Sequence, residues 1–146
     1  MMKKFQFSLE SVMGYKEQLL SAAKAEVAKI NYEIAQLEIE EENLKNEFIQ
    51  SENNMQEQSR RGITPQMIAY YRNYQENLRR MQQTLEKKKH GLFRERDRSI
   101  NKMTKMNIEV KSLEKLKEKE WKTYQAASAK EQERIVEEFT VFTRKA

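Results

Sequence analysis

The chain has 146 residues, of which 35% are charged and 38% hydrophobic, with three glycines, one proline and no cysteine. So few turn-forming residues exclude a compact domain with many connections, whereas two long helices need one turn. The lack of cysteine excludes disulfides and thiolate metal sites. The apolar runs are too short to span a membrane, and none follows the basic start, so we expect no secretory signal peptide.

The net charge of +5 is unevenly distributed along the chain. Residues 1–62 contain eight Lys and Arg against eleven acidic residues, a net charge of −3. Residues 63–146 contain twenty against twelve, a net charge of +8. An acidic first half beside a basic second half favours antiparallel pairing within the chain. The surplus positive charge also suits an acidic partner.

One turn is predicted, at Gly62-Ile63-Thr64-Pro65. Gly62 can adopt the left-handed conformation that ends a helix. Thr64 is a favourable N-cap, and Pro65 suits the first helical position because its missing N–H has no partner to lose there. The turn therefore separates two helices.

These signals predict an all-α fold, a long antiparallel two-helix coiled-coil hairpin with unequal arms. We expect a single domain over residues 1–146. Its predicted parts are helix 1 at about 8–58, the turn at about 59–64 and helix 2 at about 65–142.

Apolar residues recur in helix 1 at alternating steps of four and three, which is typical of a coiled coil. Eleven of the fourteen positions in this predicted seam are apolar: Leu9, Met13, Lys16, Leu20, Ala23, Val27, Ile30, Ile34, Leu37, Glu41, Leu44, Phe48, Ser51 and Met55. Before the seam, Ser8 is a candidate N-cap. Phe5 and Phe7 are candidates to pack on the first turn, on helix 2 or on a partner.

Helix 2 begins with the same rhythm, which predicts a seam at Met67, Tyr71, Tyr74, Leu78, Met81, Leu85, Lys88 and Leu92. The next clear apolar seam residue is Met103, eleven positions after Leu92. Such a step breaks the heptad and predicts a stutter that locally unwinds the supercoil.

Folding about residue 62 places Leu9 opposite Lys115, so the end of helix 2 extends past helix 1. Apolar residues in this overhang have no predicted partner: Trp121, Tyr124, Ile135, Val136, Phe139 and Phe142. The last part has one apolar face, because Ile135, Phe139 and Phe142 follow the spacing i, i+4, i+7. This face is expected to fold back on the Phe5–Phe7 segment, to pair with a second copy or to dock on a partner.

No motif indicates catalysis or a cofactor. His90 is the only histidine, and it has neither cysteine nor an inward-facing acid cluster to form a metal site, nor a nucleophile at a recognisable spacing. The isolated glycines do not form a phosphate-binding loop. Basic residues between Lys87 and Lys105 suggest binding to nucleic acid or to a membrane surface. Acidic residues interrupt this stretch, however, and it lacks the alternating aromatic residues on which bases stack. We expect this stretch to face helix 1 and predict no enzyme, no metal and no specific nucleic acid.

Motifs in a defined order resemble one known family. Phe5-x-Phe7-x-Leu9-x-x-Val12 precedes a long acidic helix and a short Gly-Ile turn. Tyr71-x-x-Tyr74-x-x-x-Leu78 and the basic stretch Leu113-Glu114-Lys115-Leu116-Lys117-Glu118-Lys119 follow the turn. Over essentially the whole chain, this order resembles the flagellar export protein FliJ and its type III secretion stalk relatives.

The resemblance implies a non-enzymatic stalk and chaperone-escort component of flagellar protein export, and so a role in motility and chemotaxis. Its implied location is cytoplasmic, peripheral at the cytoplasmic face of the cell membrane. The implied partners are a hexameric export ATPase, whose ring assembly it promotes, and the export-gate protein FlhA. Contacts with export chaperones are left open. A self-associating structural coiled-coil scaffold and a nucleic-acid-binding coiled coil remain alternatives.

Two groups of residues take these implied roles by their position in the chain. The residues expected to face the ATPase lie near the termini: Phe5, Phe7, Trp121, Ile135, Phe139 and Phe142. The residues expected to contact the export gate lie near the turn: Tyr74, Leu78 and Met81.

Overall fold

The computed structural model describes residues 3–145. Two helices contain nearly all of them: α1, Glu10–Arg61, and α2, Pro65–Lys145. α1 begins two residues and ends three residues later than predicted, whereas α2 begins at the predicted residue. The two long helices pack against each other, and residues 3–145 contain no strand. The predicted all-α helical hairpin with unequal arms is therefore confirmed.

The turn has the backbone that its residues predict. Gly62 lies at a φ of 100°, a conformation that residues with a Cβ rarely adopt. The N–H of Met67 donates a hydrogen bond to Thr64 Oγ1 at 3.2 Å, and the N–H of Ile68 donates to the Thr64 carbonyl at 3.1 Å. Thr64 therefore caps α2, and Pro65 is its first residue.

The chain divides into two compact units. The turn unit is Lys24–Asn101, and the terminal unit is Met1–Ala23 with Lys102–Ala146. Each unit contains a segment of α1 and a segment of α2. The organisation of the chain as a single domain stays a prediction.

The predicted seam of α1 is confirmed at every position. All fourteen residues are buried or half-buried, and the most enclosed of them are Ile30, Ile34, Ala23 and Ser51. The three polar residues of the predicted seam, Lys16, Glu41 and Ser51, are also buried or half-buried, although they interrupt the apolar pattern.

The seam of α2 near the turn differs from the prediction. The structure exposes four residues that were expected to be inside: Met67, Tyr74, Met81 and Lys88. In place of the last three, it buries or half-buries the polar residue that follows each of them: Gln75, Gln82 and Lys89. A search for apolar spacing selects the wrong one of two adjacent residues here. It does not consider the polar residues of α1 that lie opposite α2.

The predicted stutter is also wrong. Buried and half-buried residues of α2 keep alternating steps of four and three without interruption: Tyr71, Gln75, Leu78, Gln82, Leu85, Lys89, Leu92, Arg96, Ser99, Met103, Met106, Val110, Leu113 and Lys117. The heptad continues between Leu92 and Met103 because Arg96 and Ser99 occupy the intervening seam positions. These two residues are polar, so a search for apolar spacing passes over them.

Each polar member of the α1 seam has a polar partner on α2. In the terminal unit, Lys16 Nζ lies 2.9 Å from Glu109 Oε2. In the turn unit, Lys89 Nζ lies 3.0 Å from Glu41 Oε2. Gln75 Nε2 donates a hydrogen bond to Ser51 Oγ at 3.3 Å. A shifted register would separate these groups and leave the buried ones, Gln75 and Ser51, without their partner, so the pairs help to specify how the helices align.

Candidate functional site

The start of α1 in the terminal unit is held by polar contacts with α2. Glu10 Oε2 lies 3.0 Å from Lys117 Nζ, close to the predicted pairing of Leu9 with Lys115. The Ser8 hydroxyl donates to Glu120 Oε1 at 3.2 Å. The predicted Ser8 cap is therefore not formed, because the hydroxyl contacts α2 rather than the first N–H groups of α1.

The lead-in, residues 3–7, is not helical and packs along α2. The Phe5 ring lies 5.0 Å from Trp121 and 5.5 Å from Tyr124, measured between ring centroids. Trp121 and Tyr124 are themselves stacked at 5.6 Å. The Tyr124 hydroxyl donates to the Lys3 carbonyl at 2.8 Å. Of the three expected uses of the lead-in aromatics, Phe5 therefore takes the contact with helix 2. Phe7 is buried, with 6% of its surface exposed.

The end of α2 carries an uncovered apolar face. Glu131 is the last half-buried residue of the helix, and residues 132–144 are all exposed. We name the end face by its three members, Ile135, Phe139 and Phe142, which are 52%, 70% and 73% exposed. The hydroxyls of Thr140 and Thr143 donate to carbonyls of their own helix, those of Val136 and Phe139. What the end face presents to another molecule is therefore mainly aromatic and aliphatic surface.

The six residues predicted to face an ATPase thus fall into separate groups. Phe5 and Trp121 belong to the aromatic cluster, and Phe7 is buried. Ile135, Phe139 and Phe142 form the end face, which the structure leaves open. Tyr124 was absent from the predicted site, although its spacing of three from Trp121 was sufficient to place both on one helix face.

The three residues predicted to contact the export gate lie in the turn unit, and the structure separates them. Leu78 is buried with 3% of its surface exposed, whereas Tyr74 and Met81 are 40% and 54% exposed. Tyr74 and Met81 are seven positions apart, so they lie roughly 10 Å from each other along one side of α2. Met81 lines a shallow groove of about 430 Å³ whose apolar members are Leu44, Met81 and Leu85.

The Tyr74 hydroxyl donates to Glu47 Oε2 at 3.3 Å, which links the exposed side of α2 to α1. Removal of water from around the phenol raises the pKa of Tyr74, and the Glu47 carboxylate raises it further. The phenol is therefore neutral at physiological pH. Tyr74 and Met81 are thus two exposed side chains on one side of α2, with Glu47 beside Tyr74 and Glu40 beside the Met81 groove.

The basic stretch of α2 only partly faces α1, contrary to the expectation. Lys89 contacts Glu41, and Arg96 Nη1 donates to Asn31 Oδ1 at 3.4 Å while its guanidinium lies over the Phe93 ring. Other basic residues of the same stretch are exposed: Lys87, Lys88, Arg94 and Arg98. The hydrogen bond to Glu41 raises the pKa of Lys89.

His90 is exposed, and its Nε2 lies 3.1 Å from Glu86 of the same helix. Across residues 3–145, no three acidic or histidine side chains are placed to hold a metal ion. No helix in that range contains a stretch long and apolar enough to cross a membrane.

The fold and its surfaces define a class of protein. It is a two-helix coiled coil whose most distinctive surface is a bare apolar helix end rather than an enclosed pocket. A family model described as Flagellar FliJ protein matches residues 5–143, nearly the whole chain. The chain therefore belongs to the FliJ family and has a role in flagellar protein export, as a component of the export machinery. No curated protein and no solved structure matches it.

Proposed function

We propose that the chain is a non-enzymatic stalk that binds the hexameric export ATPase through the end of α2 and promotes assembly of its ring. The observation that carries this proposal is the exposure of the end face. Three large apolar side chains on one side of a helix lower their free energy when another surface covers them. Within residues 3–145, all positions from 132 to 144 are exposed. Membership of a flagellar export family supports a partner within the export machinery, and the export ATPase is the partner we propose.

A second contact of the same proposal lies in the turn unit. Tyr74 and Met81 are exposed, and they would contact the export-gate protein FlhA, while the buried Leu78 supports the backbone between them. The groove beside Met81 gives an apolar side chain of the gate a place to enter. Such a contact would hold the protein at the cytoplasmic face of the membrane. Export chaperones would be escorted from the same location.

The test is to add the purified chain to its cognate export ATPase with nucleotide present. ATP hydrolysis and ring assembly, seen by electron microscopy, are measured across a range of concentrations. We expect the wild type to stimulate both. For the double variant Phe139→Ala with Phe142→Ala, half-maximal stimulation should need at least about tenfold more protein, because central aromatic residues of an interface commonly contribute more than 1 kcal/mol each.

The matched control is Tyr15→Ala with Tyr32→Ala, which removes two aromatic rings that are also highly exposed but lie on α1. This control should stimulate as the wild type does. Equal loss in both double variants would show that general surface changes, not the end face, affect the ATPase. No binding by the folded wild type would contradict the proposal. A dimer that persists at high salt would then favour the self-associating scaffold.

A further inference from the structure

The aromatic cluster and the end face lie on the same side of α2. At about 100° per residue, Tyr124, Ile135 and Phe142 have directions within roughly 20° of one another. Trp121 and Phe139 lie about 60° to one edge of the same side. The small residue Ser128 lies between the two groups and is half-buried. α2 therefore has one apolar side that is covered by the lead-in at residues 121–124 and open at residues 135–142.

The cover over the first part of this side is weakly attached. Phe5 is only half-buried, and Trp121 beneath it remains 41% exposed. Among residues 3–145, the hydrogen bond from Tyr124 to the Lys3 carbonyl is the one such bond that residues 3–6 make. A groove of about 930 Å³ runs beside them, bounded on α2 by Leu116, Thr123 and Ala127. The edges of the cover are therefore open to a competing molecule.

The attachment becomes firmer at the next aromatic residue. Phe7 is buried, and its carbonyl accepts a hydrogen bond from the N–H of Glu10 at 3.1 Å. Ser8 and Glu10 then contact Glu120 and Lys117. Residues 3–5 can thus leave α2 while Phe7 keeps the start of α1 in place.

We propose that residues 3–5 are a displaceable strap, and that a partner helix bound at the end face extends along α2 and replaces Phe5 on Trp121 and Tyr124. This inference rests on the proposed function, since the partner is the export ATPase. By extending along α2, the partner helix contacts the stacked rings of Trp121 and Tyr124. Its apolar side chains then replace Phe5 on these rings. The strap therefore lowers the apparent affinity, because only unstrapped molecules present the full binding side.

The experiment follows the strap and the binding of the ATPase in the same sample. Trp121 is the only tryptophan of the chain, so 5-fluorotryptophan incorporation gives a single ¹⁹F resonance in the complete protein. Phe5→Ala removes the ring of the strap. Tyr124→Phe removes only the hydroxyl that holds Lys3, and Tyr32→Phe removes a hydroxyl from an exposed ring elsewhere as the control.

Without the ATPase, we expect Phe5→Ala to shift the Trp121 resonance, Tyr124→Phe to shift it less, and Tyr32→Phe to leave it unchanged. A saturating concentration of ATPase should shift the wild-type Trp121 resonance away from the chemical shift it has when Phe5 covers the ring. Phe5→Ala should bind about threefold to tenfold more tightly than the wild type, in proportion to the fraction of molecules that the strap closes.

Two results would overturn the strap while leaving the proposed function intact. In the first, the wild type binds the ATPase and the Trp121 resonance stays at the chemical shift it has when Phe5 covers the ring. In the second, Phe5→Ala weakens binding as Phe139→Ala does, which would make Phe5 part of the interface. If neither the wild type nor Phe5→Ala binds, the proposed function fails, and the strap proposal fails with it.

Discussion

In the turn unit, the seam of α2 encloses Gln75 and Lys89, whereas the end of the same helix leaves Phe139 and Phe142 open to solvent. The polar residues are inside because α1 offers Ser51 and Glu41 opposite them. The aromatic residues are outside because no part of the described chain covers residues 132–144. Burial in this coiled coil therefore depends on what lies opposite a residue, and apolar character alone does not separate folding from binding residues.

The largest expected effect comes from removing a seam side chain of the turn unit. Leu78→Ala should lower the free energy of unfolding by about 2–4 kcal/mol, because it leaves a cavity where the side chain is enclosed. Met81→Ala, three residues later but exposed, should change it by less than about 0.5 kcal/mol. Urea denaturation followed by circular dichroism measures both. Similar losses in the two variants would show that Met81 belongs to the seam, as the sequence had predicted.

Much of the fold was accessible from the sequence because its signals are local. Gly62, Thr64 and Pro65 mark the turn by backbone chemistry that does not depend on the rest of the chain. The α1 seam was correct at all fourteen positions, since an unbroken heptad with few exceptions has only one plausible register. These predictions needed no knowledge of the opposite helix.

The α2 seam was not accessible in the same way, because two neighbouring frames compete near the turn. Tyr74 and Met81 are more apolar than Gln75 and Gln82, so single-sequence periodicity selects them. The correct frame follows from pairs across the hairpin, such as Gln75 with Ser51. Matching the polar exceptions of one seam to those of the other would have found it, and would have removed the false stutter.

The candidate site was predicted only in part for a related reason. The i, i+4, i+7 spacing was enough to find the end face, since that face is a property of one helix. The strap was only partly visible, because residues 3–7 have no periodicity. The contact of Phe5 with Trp121 joins positions that are far apart in the chain.

A smaller effect is expected from replacing glycines. The sign of this effect should differ between the turn and the helix interior. Gly62→Ala should destabilise the protein by about 1 kcal/mol, because alanine is strained at a φ of 100°. Gly91→Ala should stabilise it by about 0.5–1 kcal/mol, since alanine favours a helix interior and, apart from its chain neighbours and the adjacent backbone of α2, no heavy atom lies within 4 Å of the added Cβ. Thermal unfolding measures both changes. Destabilisation by Gly91→Ala would indicate that a partner or a second copy approaches the backbone there.

The Lys89–Glu41 pair should have a still smaller effect that depends on pH. The hydrogen bond from Lys89 to Glu41 raises the pKa of Lys89 above the ordinary value of 10.5. The stability that the pair contributes is therefore fully present below about pH 10.5 and is lost as the pH rises through the folded-state pKa. Lys89→Met alone should destabilise the protein, because it leaves the Glu41 carboxylate half-buried without its partner.

The control for this pair is Lys88→Met, which removes an exposed neighbouring charge. Lys89→Met combined with Glu41→Met should recover most of the lost stability, since both members are then apolar. The advantage of the wild type over Lys89→Met should shrink above pH 10.5 in urea titrations. An advantage that is independent of pH up to the alkaline limit of folding would show that packing of the lysine stem, and not its charge, matters at this position.

The smallest effect on stability is expected where the apolar surface is largest. Phe139→Ala with Phe142→Ala should change the free energy of unfolding by less than about 0.5 kcal/mol, because both rings are mostly in water in the folded chain. Helicity measured by circular dichroism should be retained, while half-maximal stimulation of the ATPase needs at least about tenfold more protein. If the double variant instead loses much of its helicity, the rings serve the fold, and the comparison between seam and end face fails. If stability and stimulation are both unchanged, the end face has no partner in the ATPase. A stable variant with weakened stimulation is the one outcome in which the two regions differ as proposed, since it separates the residues that hold the helices together from those that bind.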